Sequence, residues 1–237
     1  MILRVWPSRL TGAVQAPASK SVMQRLIAGA LLAKGTTTLH HVSDSDDCTA
    51  ALHMAATLGA DIELGESSVR ITGHGVPLHN RSNTIDAGES GLAARLFASV
   101  ATSAAAPIRI EGQGTLNKRP MDALKAPIEA LGGSFVSTEG RCPLLVSGPL
   151  KGGQMEIDGS VSSQYLTGLL MTLATADHDS SIAVTNLVSK PYIEMTIAIM
   201  QDFGIDVSVN DAFDAFEIPG KQTFKGFETT VDGDWSA

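Results

Sequence analysis

The chain has 237 residues, 43% of them hydrophobic and 18% charged, which is an ordinary globular composition with material for a sizeable core. A formal net charge of −8 argues against a general polyanion-binding surface, and two tryptophans and two tyrosines are few for stacking nucleic-acid bases. Cys48 and Cys142 form neither a metal-ligand pair nor a disulfide ladder, no apolar run reaches membrane-spanning length, and "MILRVWPSRLTG" lacks a secretory h-region, so the expectation is a cytoplasmic protein that engages neither nucleic acid nor membrane.

In chain order, a polar turn first opens a helix in "SKSVMQRLIAGALLAKG", and "TTTLHHV" follows as a strand. A second polar turn opens the helix "DSDDCTAALHMAATLG", with Asp46 or Asp47 as the expected N-cap and Ala51, Leu52, Ala55 and Leu58 on one face. Two short strands then make a hairpin in "LGADIELGESSVRITG", and "NTIDAG" is a further strand. The same succession returns twice. "GESGLAARLFASVATSA" and "SSQYLTGLLMTLATA" are first helices; "NKRPMDALKAPIEALGG" and "SKPYIEMTIAIMQDFG" are second helices, with Pro120 and Pro191 expected in their first turns. Gly59, Gly132 and Gly204 stop the second helices at spacings of 73 and 72 residues, and Gly73, Gly148 and Gly220 close the hairpins at spacings of 75 and 72. The period is too long for a common solenoid. The expected fold is therefore a closed α+β (mixed α/β) domain, a pseudo-threefold repeat of βαβαββ units.

The helix mouths share a chemistry. First helices open at Lys20-Ser21, at Glu89-Ser90-Gly91 and at Ser162-Ser163-Gln164; second helices open at Asp46-Asp47, at Lys118-Arg119-Pro120 and at Ser189-Lys190-Pro191. If corresponding ends lie on one side, six N-termini face one surface, each with unpaired N–H groups and about half a positive charge. Of 17 Lys and Arg residues, six sit at or just inside these mouths: Lys20, Arg25, Arg95, Lys118, Arg119 and Lys190. Arg25 lies one turn above Ser21 on the same face, and Pro120 holds Arg119 extended. A serine at a helix start is ordinarily just an N-cap, and a lone Arg ordinarily a solvated face. All six mouths together point instead to a site for a small polyanion. The six histidines have no metal-ligand spacing, "DSDD" reads as capping, Cys142 lacks the basic surroundings of a nucleophile, and no P-loop or dinucleotide fingerprint is present.

At these residues the chain resembles a known family. "APASKSVMQR", "SDSDD", "AGESGLAAR", "KRPMDAL", "DGSVSSQYLTGLLM" and "LVSKPYIEMT" are similar to 5-enolpyruvylshikimate-3-phosphate synthase, from about residue 12 to the last. The resemblance implies an enolpyruvyl-transferase-like domain and an enzyme that joins shikimate 3-phosphate to phosphoenolpyruvate without metal or organic cofactor, acting as a monomer. It implies that Lys20 contacts both substrates, that Ser21 and Arg25 hold the shikimate carboxylate, and that Ser162, Ser163 and Ser189 hold the 3-phosphate. Gln164 reaches both ligands, Tyr192 lines the shikimate site, and Gly91 and Arg119 hold phosphoenolpyruvate. The related UDP-N-acetylglucosamine enolpyruvyl transferase usually carries a loop cysteine that has no counterpart here; a stand-alone, non-catalytic anion-binding module is the other alternative. One loop departs from the family's Gly-Asn-Ala-Gly-Thr: Glu89 and Leu92 replace its asparagine and threonine. Glu89 is expected to turn away or to pair, for example with Arg95, and is left out of the ligand set. By the same resemblance, residues 18–234 are one substrate-binding lobe, residues 1–17 supply a strand to a second domain, and "TTVDGDWSA" opens a fourth unit, with 235–237 its truncated start. The catalytic Asp and Glu are then expected outside this chain.

Overall fold

The computed structural model describes residues 11–234 together with Arg4, Trp6, Pro7 and Arg9. The first unit runs α1 (Lys20–Leu32), β1 (Lys34–His40), α2 (Asp46–Thr57), β2 (Asp61–Leu64) and β3 (Ser68–His74). The second runs β4 (Thr84–Asp86), α3 (Gly91–Val100), β5 (Ile108–Glu111), α4 (Lys125–Ala130), β6 (Ser134–Thr138) and β7 (Arg141–Ser147). The third runs β8 (Gly153–Asp158), α5 (Ser163–Leu173), β9 (Ser180–Thr185), α6 (Lys190–Asp202), β10 (Ser208–Val209) and β11 (Ala215–Ile218), and β12 (Glu228–Thr230) ends the series.

Burial separates the two helix types. Eleven of 13 residues of α1, nine of ten of α3 and ten of 11 of α5 are buried, as expected of helices apolar on nearly every side. Only four residues of α2 and five of α6 are buried, which is one face each. The all-round apolar helices form the interior: α3 packs on α1 and α5, while α1 and α5 both touch α6. The sheets close over them. Strand alternation turns Val69 and Ile71 of β3, and Cys142, Leu144 and Val146 of β7, inward.

The sheets share one connectivity. In β4-β5-β7-β6 and in β8-β9-β11-β10, a parallel pair comes first and two antiparallel pairings follow. The first sheet has the order β12-β1-β3-β2, so the place beside β1 is filled by the last strand of the chain. The segment expected to open a fourth unit thus completes the first sheet. Its pairing is reinforced by side chains: His40 Nε2 meets Glu228 Oε1 at 2.7 Å and His41 Nδ1 meets the Val231 carbonyl at 2.9 Å. The backbone N–H of Ser19 donates to Asp232 O at 2.8 Å and that of Asp234 to Pro17 O at 2.7 Å, so the closure also anchors the start of α1. Of the strand expected in residues 1–17, Met1–Leu3, Val5, Ser8 and Leu10 lie outside the described residues, as do Trp235–Ala237; residues 11–17 contain no strand.

Helix ends differ from expectation in three places. The N-cap of α2 is Ser45, whose Oγ accepts from Cys48 N–H at 3.4 Å, while Asp46 and Asp47 occupy the first turn. The cap of α1 is Ser19, one residue before the expected mouth. Most different is the second helix of unit two. Residues Gly114–Lys118 and Asp122–Leu124 are 3-10 turns, and α4 has only six residues. Pro120 lies between the turns and outside any helix. Pro127, lacking an N–H, is tolerated only within the first turn, so α4 begins at Lys125. Gly59, Gly132 and Gly204 end their helices at φ +118°, +88° and +78°, as expected.

Gly168 on α5 sets how closely α3 approaches. A Cβ there would lie 2.7 Å from the Leu96 carbonyl oxygen and 3.1 Å from the Ser99 side chain. Overpacking of about 1–3 kcal/mol outweighs the roughly 1 kcal/mol that Ala gains over Gly within a helix. Gly168→Ala should therefore lower stability by roughly 1–2 kcal/mol in urea unfolding, and a variant as stable as its parent would show that the helices are free to separate.

A candidate anion site where helix N-termini meet

Five α-helix N-termini adjoin one another, each linked to the next by side chains. Lys20 Nζ bonds Asp47 Oδ2 at 2.9 Å, joining α1 to α2. Arg25 joins α1 to α5 and α6. Arg95 Nη1 donates to Gln164 Oε1 at 2.8 Å, joining α3 to α5. Ser90, the N-cap of α3, donates to the buried Gln24 of α1 at 3.1 Å. The sixth mouth is an extended Arg119 (φ −87°, ψ 139°) rather than an α-helix start. Its extension is what Pro120 dictates.

Between α1, α3, α5 and α6 lies a cavity of about 220 Å³, lined by Ser21, Arg25, Leu92, Val161, Ser162, Ser163, Gln164, Val188, Ser189 and Tyr192. No carboxylate is among these residues. A larger cavity of about 830 Å³ adjoins it through Ser21 and Tyr192, but its charged members are Asp232 and Asp234, the wrong sign for an anion. We therefore place the site by chemistry and not by volume. Among the described residues, no group of three His, Cys, Asp or Glu is placed to hold a metal, and no helix is long and apolar enough to cross a membrane.

Arg25 is the floor of the smaller cavity. It is 1% exposed. Its Nε donates to Thr196 Oγ1 at 2.9 Å, Nη1 to the Ser21 carbonyl at 2.7 Å and Nη2 to Thr167 Oγ1 at 3.4 Å. Every partner is neutral, and the Tyr192 ring lies 5.7 Å from the guanidinium carbon. Burial pulls its pKa down to about 10, so it remains charged at neutral pH. A base whose folded-state pKa is depressed destabilises the fold below that value, and the cost is relieved only as pH rises through about 10.

The serines divide. Ser162 caps α5, its Oγ accepting from Gln164 N–H at 3.2 Å. Ser189 heads α6 in a left-handed conformation (φ 58°, ψ 43°) and makes no capping bond, so its hydroxyl is not used by the helix. A non-glycine residue in that region is strained, and such strain is a pointer to a site. Ser163 is buried at the first position of α5.

Arg119 and Gly91 meet outside the cavity lining, near Arg95. A Cβ at Gly91 would lie 2.7 Å from Arg119 Nη1, so the guanidinium packs directly over the Gly91 backbone and any side chain here would push it aside. Glu89, expected to turn away or to pair, for example with Arg95, does not have Arg95 as its partner. Its Oε2 instead accepts from the N–H and hydroxyl of Thr115, both at 2.8 Å, and these bonds hold its pKa below the usual carboxylate range. Arg95 is committed to Gln164 and stacks 5.0 Å above the Tyr165 ring. Lys20 is turned to Asp47, which raises its pKa, and does not line the cavity. Lys190 sits 3.8 Å above the Phe213 ring and 4.0 Å from Glu194. Burial raises the Cys142 thiol to about 11, consistent with an inert residue.

Seven of the eight residues expected around shikimate 3-phosphate therefore surround one cavity, and Lys20 is the exception. Sequence reasoning missed Leu92, Val161 and Val188, which give the cavity apolar walls, and Thr167 and Thr196, which hold Arg25. The threonines had a readable signal: each is polar, in an apolar helix, four residues after a site residue, Ser163 or Tyr192.

Residues 6–237 match the family model for EPSP synthase (3-phosphoshikimate 1-carboxyvinyltransferase). The 3-phosphoshikimate 1-carboxyvinyltransferase of Clostridium beijerinckii is 34% identical over 241 residues, which is 99% of this chain and 55% of that protein. That of Klebsiella pneumoniae is 36% identical over 237 residues, or 97% and 55%. The structure of EPSP synthase from Acinetobacter baumannii superposes with a TM-score of 0.83 at 25% identity, covering 94% of this chain and 50% of that one. The chain thus spans about half the length of the relatives it matches.

If Arg25 is kept for a ligand, the fold gains little from its charge. Thr196 Oγ1 still donates to Tyr192 O (2.8 Å), and Thr167 and Thr196 still bond each other (3.0 Å) when it is removed. Arg25→Met should be as stable as the parent to within about 1 kcal/mol, or more stable, in denaturant titration. A loss well above that would make Arg25 a structural member of the core.

Proposed function

We propose a function from the premise that this chain belongs to the EPSP synthase family: it binds shikimate 3-phosphate and part of phosphoenolpyruvate for transfer of the carboxyvinyl group to the 5-hydroxyl. The observation that carries this reading is the buried guanidinium of Arg25, with no carboxylate partner among the described residues, on the floor of a cavity rimmed by helix N-termini. A buried charge without a countercharge calls for an anion.

On this reading, Arg25 and Ser21 take the shikimate carboxylate, and Tyr192, Val161, Val188 and Leu92 enclose the carbocycle. Ser162, Ser163 and Ser189 take the 3-phosphate. Here the N-termini of α5 and α6 add unpaired N–H groups and a favourable field. Gln164, held by Arg95, lies between the two ligands. Arg119 takes phosphoenolpyruvate by charge and the Gly91 backbone by close approach, with Lys20 released from Asp47 to reach the junction of the substrates.

The reaction adds and then eliminates. The 5-hydroxyl attacks C2 of phosphoenolpyruvate and loses its proton while C3 gains one; phosphate then leaves as C3 gives a proton back. Each proton transfer needs a base or acid within hydrogen-bond reach. The cavity lining offers no carboxylate or histidine for this work. We therefore assign binding and orientation to these residues and seek the acid–base groups beyond them.

Two substitutions test the assignment in opposite directions. In the protein as its gene encodes it, Arg119→Ala should raise the KM for phosphoenolpyruvate about 10- to 150-fold, as loss of a charged hydrogen bond does, and should move the KM for shikimate 3-phosphate little. Ser163→Ala with Ser189→Ala should do the reverse and bring shikimate 3-phosphate toward the affinity of shikimate. Equal effects on both substrates from either variant would sink the division. A second measurement uses the 237-residue chain alone: calorimetry should detect shikimate 3-phosphate binding, and a phosphate-release assay should detect no turnover. Release dependent on both substrates would mean that the acid–base groups are in this chain after all.

A further inference from the structure

Two loops that differ by about 26 positions in sequence are laced together beside Arg119. Gln113 N–H donates to Gly88 O at 2.6 Å and Gln113 Nε2 to Asp86 Oδ2 at 2.6 Å. Asp86 Oδ1 accepts from Gly88 N–H at 2.8 Å. Glu89 then bonds both the N–H and the hydroxyl of Thr115. Gly114 makes room: at φ +50°, a Cβ there would run into the Glu89 carboxyl group.

We propose that Glu89 is a positioning residue for Arg119: its carboxylate orients the Thr115 hydroxyl, and that hydroxyl aims the guanidinium. The proton of Thr115 Oγ1 is committed to Glu89 Oε2 at 2.8 Å, which leaves the oxygen's lone pairs free to accept. Arg119 Nη2 donates to that oxygen at 3.4 Å, the one hydrogen bond its side chain makes among the described residues. The other arm, Nη1, lies against Gly91. Removing the Glu89 acceptor frees the threonine hydroxyl to rotate and donate elsewhere, and Arg119 loses its fixed partner.

The same geometry resolves an electrostatic difficulty. Glu89 stands next to a site for an anion, yet it does not line the cavity, and its charge is spent on Thr115. The guanidinium of Arg119 further favours its ionised form. A carboxylate at this position is thereby turned from a repulsive neighbour into a support.

The proposal rests on the assignment of Arg119 to phosphoenolpyruvate, and the experiment separates the two. Steady-state kinetics with both substrates would compare Glu89→Ala, Glu89→Gln, Thr115→Val, the Glu89→Ala/Thr115→Val pair and Arg119→Ala, in the protein as its gene encodes it. Glu89→Ala and Thr115→Val should each raise the phosphoenolpyruvate KM about fivefold or more, the effect of one positioned hydrogen bond, with kcat and the shikimate 3-phosphate KM within about twofold. Glu89→Gln, which keeps an accepting oxygen at the same reach, should restore most of the loss. The pair should be no worse than its worse single member, because both act through one bond. Multiplying losses, equal effects on the two substrates, or a Gln variant as damaged as Ala would each overturn the relay. If Arg119→Ala raises the KM and Glu89→Ala does not, the relay alone fails. If Arg119→Ala leaves it unmoved, the assignment of Arg119 fails as well.

Discussion

A desolvated cation held only by neutral partners is the constraint on which the remaining features depend. Arg25 is surrounded by two threonine hydroxyls, one carbonyl and the face of a tyrosine. Such a group is tolerated only where its hydrogen bonds are satisfied and its surroundings are rigid. Three helices supply these conditions: α1 carries the arginine, α5 brings Thr167 and α6 brings Thr196. The close contact of α5 with α3 at Gly168 fixes the frame in which they meet. Core packing and anion recognition are therefore one problem in this molecule.

Much of the fold was legible because it rests on local periodicity. The first helices are apolar on almost every side, the strands alternate, and glycines stop the second helices, so all these elements appear where the pattern puts them. What was not legible came from competition between equally good local signals. "SDSDD" contains several residues able to cap α2, and only the backbone turn selects Ser45. Around Pro120 the apolar spacing of Leu124, Ile128 and Leu131 suggests one long helix. Two prolines seven positions apart prevent it, and the 3-10 turns are the compromise.

At the site, the polar residues at helix starts were readable and their relations were not. Seven of them surround one cavity because helix N-termini are brought together by tertiary packing. The apolar walls from Leu92, Val161 and Val188 carry no chemical signature in one dimension. Glu89 meets Thr115 across a loop closure that no spacing rule predicts, while Arg95, the nearest opposite charge in sequence, is taken by Gln164. Ser162 caps its helix from an extended backbone, whereas Ser189 is left-handed and does not, a difference of backbone conformation that the shared residue type hides.

The closure of the first sheet by β12 has a mechanical meaning. Pro17 and Asp234 lie across one hydrogen bond, and Ser19 and Asp232 across another, immediately before α1. This paired segment lies beside Ser19 and Ser21, at the lip where the anion cavity meets its larger, acidic neighbour. One rim of the binding surface is therefore a clasp between the two ends of the described chain, and the placing of α1 at that rim depends on residues 232–234 as much as on its own sequence.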